Sequence, residues 1–153
     1  MTIHAMIDLE TLATGFDATV LTIGGVKFDP NNISQPMQEF YYKFDVDEQT
    51  ARGRKVDENT ITWWGKQSKE VQEDALGEEG RTPVIEVLKA LNKEWQHHLP
   101  WNFWQIKDSR TLFQIMPKDP RKEINFQAHN ALEDSKVQAL CVQQSIKQLG
   151  LVL

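Results

Sequence analysis

The chain has 153 residues, 40% apolar and 25% charged, which is enough for one domain with its own core and ordinary for a soluble globular protein. A net charge of −5 argues against a broadly basic nucleic-acid surface, although two divalent ions on carboxylates would add +4 and bring it to −1. The lone Cys141 excludes an internal disulfide, no stretch nears the ~20 apolar residues of a membrane span, and the N-terminus lacks a signal-peptide pattern, so a cytoplasmic protein with no membrane partner is expected.

Residues Ile3 to Glu10 are short and apolar, with Thr11 and Gly15 close behind, and read as a buried strand. Side chains alternate along a strand, so Asp8 and Glu10 point the same way. Two carboxylates at the end of a buried strand repel each other and lose solvation. A divalent cation is the partner that best offsets both penalties, because hard cations take carboxylate oxygens. The plain alternative is a pair of solvated acids on a frayed strand end.

Thr19 to Phe28 has strand composition, and Gly24-Gly25 inside it points to a bulge or a close backbone approach. After a turn at Asp29-Pro30-Asn31-Asn32, Met37 to Phe44 forms a third strand with Phe40 and Tyr42 on one face and Tyr41 on the other. Tight connections make the three an antiparallel meander. Asp45 to Lys55 reads as charged and irregular. Asp57 and Ser68 are caps for two short helices, one carrying Ile61, Trp63 and Trp64, the other ending near Leu76.

Thr82-Pro83 opens a helix whose apolar face is Val84, Val87, Leu88, Leu91 and Trp95, ending near His98. The aromatic cluster Trp101-Asn102-Phe103-Trp104 reads as core in preference to a base-stacking platform. Phe103 to Lys107 reads as a short strand. Asp108 or Ser109 caps a helix through Leu112, Phe113, Ile115 and Met116, and Lys118 to Glu123 is a charged loop. Asn130 followed by Glu133 is a capping-box-like start for a last helix carrying Val137, Leu140, Cys141 and Leu149, to about Gly150. His129 then lies just before that helix and Asp134 in its second turn. Lys107, Arg110, Lys118, Arg121 and Lys122 are candidates for a phosphate path, against the commoner reading of scattered basic residues as solvated surface.

Asp8-Leu9-Glu10 near one end and His129-Asn130-Ala131-Leu132-Glu133-Asp134 near the other resemble the first and third motifs of the DnaQ-like, or DEDDh, 3′–5′ exonucleases. Within that superfamily the chain looks most like phage and prophage exodeoxyribonucleases of the exodeoxyribonuclease VIII kind. Met6-Ile7-Asp8-Leu9-Glu10-Thr11-Leu12, Leu21 to Val26, Asp108-Ser109-Arg110-Thr111-Leu112 and Ala128 to Leu132 carry the likeness. It implies an α/β, RNase H-like mixed sheet, a three-strand meander with one or two further strands, flanked by helices. It also implies a phosphodiester hydrolase using two divalent ions, Mg²⁺ or Mn²⁺, about 3.5–4 Å apart. Asp8, Glu10 and Asp134 would hold the metal, and His129 would take a proton from the attacking water. The expected partner is the 3′ end of a nucleic acid, single-stranded DNA favoured.

The family has four acids, and one has no counterpart here. It belongs to a strand and helix start, in a pattern such as Asn-x-x-Phe-Asp, and only Gln96-His97-His98-Leu99-Pro100 separate Trp95 from Trp101. The chain is thus expected to be a single exonuclease-like domain, 1–153, lacking that strand–helix unit between residues 95 and 101. One metal would lose a carboxylate, with Asp108 a candidate stand-in against a structural role. The strand beside Asp8 would be left with an open edge, to be covered by Phe103–Lys107 or by a second copy in a homodimer. His97 and His98 read as surface. Two functional readings stand: an exonuclease of impaired or altered activity, and a catalytically inactive relic of the fold that binds nucleic acid or a protein. The intact Asp8, Glu10, His129 and Asp134 favour the first.

Overall fold

The structure, a computed structural model, describes residues 3–35, 37–94, 103–126 and 128–153. Three antiparallel strands open it: β1 (His4–Thr11), β2 (Val20–Phe28) and β3 (Gln38–Phe44). The two-residue strand β4 (Arg81–Thr82) adds to β3 in parallel, giving the order β1-β2-β3-β4. The result is the α/β mixed sheet with flanking helices that the sequence implies.

Alternation along the strands divides the apolar residues between two layers. Ile7, Ile23, Phe40, Tyr42 and Phe44 face one side, where α4 (Val84–Glu94) packs Val84, Val87 and Leu91 against them. Met6, Val26 and Phe28 face the other, beneath α6 (Ala131–Leu149) and α5 (Ser109–Ile115). At the end of the sheet, Leu12 and Leu21 meet Trp64 of α2 (Glu58–Trp64) and Val71 and Ala75 of α3 (Lys69–Leu76). Trp64 is 1% exposed, and its indole N–H donates to the Thr11 carbonyl at 3.0 Å, tying α2 to the end of β1.

The caps follow the short polar residues. Asp57, Ser68, Asp108 and Asn130 each accept backbone N–H groups of the helix they precede, and Gly150 ends α6 at a left-handed φ of 65°.

Several expectations need correction. Asp45 to Lys55 is not irregular, because Asp45 caps a helix, α1 (Val46–Ala51). The Gln49 side chain of α1 exchanges two hydrogen bonds with the Val20 backbone and so acts as a substitute strand partner. Thr82 belongs to β4, not to a helix cap, and the first N–H of α4 is met by the Glu48 carboxylate at 2.8 Å. Phe103 to Lys107 is not a strand: Phe103–Gln105 is a 3₁₀ turn, and residues 104–107 are all exposed, with no buried face to draw them into the sheet. Part of Lys118–Glu123 is also a 3₁₀ turn, Pro120–Glu123. Trp104 is 64% exposed and is not core; Trp95, His97, His98, Trp101 and Asn102 lie outside the described residues.

Among the described residues nothing pairs with the outer edge of β1. No helix among them is long and apolar enough to cross a membrane.

Candidate active site

The site is assembled by the docking of α6 on β1 and β2. Asp8 lies opposite Gly24, and Gly24 opposite Tyr41, so these residues share the face that α6 covers. Ala131, Ser135 and Ala139 recur every fourth residue along α6 and are each 0% exposed. Such a stripe of small side chains lets the helix backbone come down onto the sheet. Gly24 completes the fit, since a Cβ there would overlap the backbone of Ala131 and Leu132. The Ser135 hydroxyl donates to the Gly24 carbonyl at 3.0 Å and fixes the rotation of the helix. The anticipated close approach at Gly24 is thus the seat of α6, and the bulge lies instead farther along β2, where Leu21 is the extra residue opposite the Glu10–Thr11 step of β1.

That docking brings together carboxylates from opposite ends of the chain. Asp8, Glu10 and Asp134 each offer an oxygen, and the three lie within 4.8 Å of one another. Burial, then the Asp134 charge, pushes Asp8 up to about 6, although Gln138, donating to it at 3.3 Å, and the nearby Arg110 pull the other way. Burial, followed by the charges of Asp8, Asp134 and Asp74, pushes Glu10 up to about 8. Burial also raises Asp134, opposed by the His129 backbone N–H that it accepts at 2.8 Å. Half-buried, all-oxygen and short of positive charge, this donor set fits a hard divalent cation such as Mg²⁺ or Mn²⁺.

His129 enters the site in an unusual conformation. Its φ is 71°, in the left-handed region, where a non-glycine residue costs about 1 kcal/mol or more. The surroundings hold it there. Its ring stands edge-on to Trp63 at 4.7 Å between centroids, with Trp64 at 6.5 Å, and its backbone N–H is tied to Asp134. The next residue, Asn130, is fixed at both ends of its amide. The carbonyl oxygen accepts from Leu132 and Glu133, and the amide nitrogen donates to Asp74 at 2.7 Å. Asp74 also accepts from the Tyr41 hydroxyl at 2.9 Å. Arg81 in turn holds α3, which carries Asp74, by donating to the carbonyls of Ala75 and Phe44.

Asp74, Tyr41 and Trp63 are the residues that sequence reasoning did not place at the site. The signal for Tyr41 was present: it faces away from Phe40 and Tyr42, hence toward the Asp8 face. Nothing local marks Asp74, whose partners are 33 and 56 residues away.

A cleft of about 670 Å³ opens between the edge of β1 and the segment running from Lys107 through α5 to Lys122. Asp8 and Asp134 line one wall, and Lys107, Arg110, Arg121 and Lys122 line the other, while Lys118 borders a separate small hollow. Asp108 borders the cleft but stays outside the acid cluster; Arg110 grips its carboxylate and holds it down to about 2.

The structure resembles the crystal structure of cell-death related nuclease 4 (CRN-4), with a TM-score of 0.50 and 13% identity, over 94% of this chain and 64% of that one. The likeness is one of fold, and this chain spans less than two thirds of the other's length. No curated protein matches the sequence. The model of the Rv2179c-like 3′–5′ exoribonuclease domain matches residues 3–95 and 85–146. Those two stretches take in most of the chain, including Asp8, Glu10, His129 and Asp134, and the protein belongs to the Rv2179c-like 3′–5′ exoribonuclease domain family.

Proposed function

We propose that the protein is a metal-dependent 3′–5′ exonuclease that hydrolyses the terminal phosphodiester of a single-stranded nucleic acid. The observation that carries this reading is the convergence of the Asp8, Glu10 and Asp134 carboxylates within 4.8 Å, with His129 tethered to Asp134 at 2.8 Å. Asp8, Glu10 and Asp134 would hold Mg²⁺ or Mn²⁺. When bound, the ions lend Lewis acidity to the scissile phosphate and stabilise its negative charge. His129 takes a proton from the attacking water at an imidazole nitrogen, the role an imidazole fills best near neutral pH. Trp63 and the Asp134 tether limit the positions that ring can take, which lowers the entropy cost of the step.

The split of the family match at residues 85–95 supports the inference that the strand–helix unit bearing a fourth acid is missing between residues 95 and 101. Among the described residues the cluster holds three acids, which also favours a second reading, binding without cleavage. The open β1 edge, with Ile3 and Leu9 about half exposed, supports self-association, which sedimentation reads directly.

The test is degradation of 5′-labelled single-stranded DNA and RNA oligonucleotides with Mg²⁺ or Mn²⁺, beside an Asp8→Ala control. Shortening from the 3′ end that disappears in the control is the expected result. RNA shortened in preference would follow the exoribonuclease activity for which the family is named, and DNA in preference would follow the likeness to phage exodeoxyribonucleases. Folded protein that binds both strands and shortens neither would overturn the enzyme reading in favour of the binding module.

A further inference from the structure

One local pattern occurs twice on the basic wall of the cleft. In Asp108-Ser109-Arg110 the aspartate accepts the backbone N–H of Arg110 and holds its guanidinium through Nε at 2.9 Å and Nη2 at 2.7 Å. In Asp119-Pro120-Arg121 the same three contacts recur, at 3.1, 3.0 and 2.7 Å. Both arginines line the cleft that Asp8 and Asp134 also line. The two lie close enough for Arg110 to act electrostatically on Arg121, and Arg110 acts likewise on Asp8. Arg121 is further steadied by the Phe113 ring, 5.2 Å beneath it.

A guanidinium has five N–H donors in a rigid fork, and a carboxylate on the Nε–Nη2 edge uses two of them. The Nη1 end of each fork makes no hydrogen bond among the described residues. Each arginine is therefore held in one orientation with a second, phosphate-matched edge to spare. A plain surface arginine must be immobilised when it binds, whereas the aspartate contacts already bias these two toward one orientation.

We propose that Arg110 and Arg121, each oriented by its own aspartate, form a paired clamp for backbone phosphates of the strand whose 3′ end lies at the acid cluster. The clamp rests on the exonuclease reading for the identity of its ligand. It reads phosphate and carries no base specificity. Four acids and four bases line the cleft, so its own charge is balanced. The clamp therefore works by geometry more than by bulk attraction, a distinction the test exploits.

The probe is a 5′-fluorescein single-stranded oligonucleotide, followed by anisotropy in Ca²⁺ over a range of salt concentrations. R110Q and R121Q should each reduce the slope of log K against log salt by about 0.7, and the double variant by about 1.4. The slope of wild type in the double variant overturns the proposal. D108N and D119N supply the second arm. Asparagine keeps the helix cap but loses the charge that grips the arginine. Orientation by the aspartates requires the D108N/D119N variant to bind several-fold more weakly despite its added positive charge, and unchanged or tighter binding overturns the clamp. An active enzyme with a clamp-independent slope removes this proposal and leaves the exonuclease reading standing. A clamp-dependent slope in an inactive protein does the reverse.

Discussion

Gly24 sits directly beneath the backbone of Leu132, with no room between them for even a single methyl group. Because Asp8 is the β1 partner of Gly24, this contact sets how near Asp134 comes to Asp8. Gly24→Ala should therefore disturb fold and site together. The clash is with main chain, which cannot rotate away as a side chain does. The expected loss is about 1–3 kcal/mol, read as a lower midpoint in denaturant. A midpoint like wild type would mean that α6 has slack where the structure shows none.

Divalent metal should stabilise the folded chain through the same three carboxylates. At a concentration one hundred times Kd, binding contributes about 2.7 kcal/mol, or roughly 5–10 °C in Tm for a chain of this size. Asp8→Asn and Asp134→Asn should each remove most of that gain while leaving the metal-free protein folded, because each also removes a repulsive charge. Equal metal stabilisation of wild type and both variants would place the ion elsewhere.

Stability without metal should fall as pH rises. Asp8 and Glu10 bind protons more tightly folded than unfolded, with values of about 6 and 8 against the ordinary carboxylate range near 4. The folded state therefore carries more protons between pH 4 and 8, and stability declines through that window. The contribution is full below about pH 4 and is lost as pH passes 6 and then 8. With screening allowed for, about 2 kcal/mol is at stake. Melting curves in EDTA should show the decline, Glu10→Gln should flatten its upper part, and saturating metal should cancel it. Rising stability over the same range would contradict the close packing of these acids.

The legibility of the site in the sequence follows from the range of its contacts. The meander, the caps at Asp57, Ser68, Asp108 and Asn130, and the shared face of Asp8 and Glu10 all rest on neighbours within a few residues, and all were readable. The pairing of Asp8 with Asp134 is legible only in the two motifs taken together. Asp74 could not be read at all, since Tyr41 and Asn130 reach it through folding alone. The failures have local causes too. In Asp45-Val46-Asp47-Glu48 the cap was hidden by the charge density around it, and β4 is two residues long, too short for any period to register. Trp104 is exposed although aromatic content favours burial, because residues 104–107 show no alternation of burial at all.

Asp74 is the hidden support of the histidine. Its carboxylate takes Asn130 at 2.7 Å and Tyr41 at 2.9 Å, and Asn130 is the residue that follows the left-handed His129. Asp74→Ala leaves the Asn130 amide nitrogen and the Tyr41 hydroxyl without their charged partner, at a cost of about 1.5–3 kcal/mol. It also frees the segment whose strained backbone aims the imidazole. Oligonucleotide cleavage should then lose kcat by roughly ten- to a hundred-fold, since the loss is one of orientation, while KM changes little. Tyr41→Phe removes only one of the two donors and should cost less in both measures. Asp74→Asn keeps the shape and an acceptor while lowering the negative field on Glu10, so it should recover much of the stability and shift the pH profile of kcat to lower pH. A profile that does not move, with kcat lost only in proportion to folded protein, would reduce Asp74 to a structural hydrogen bond.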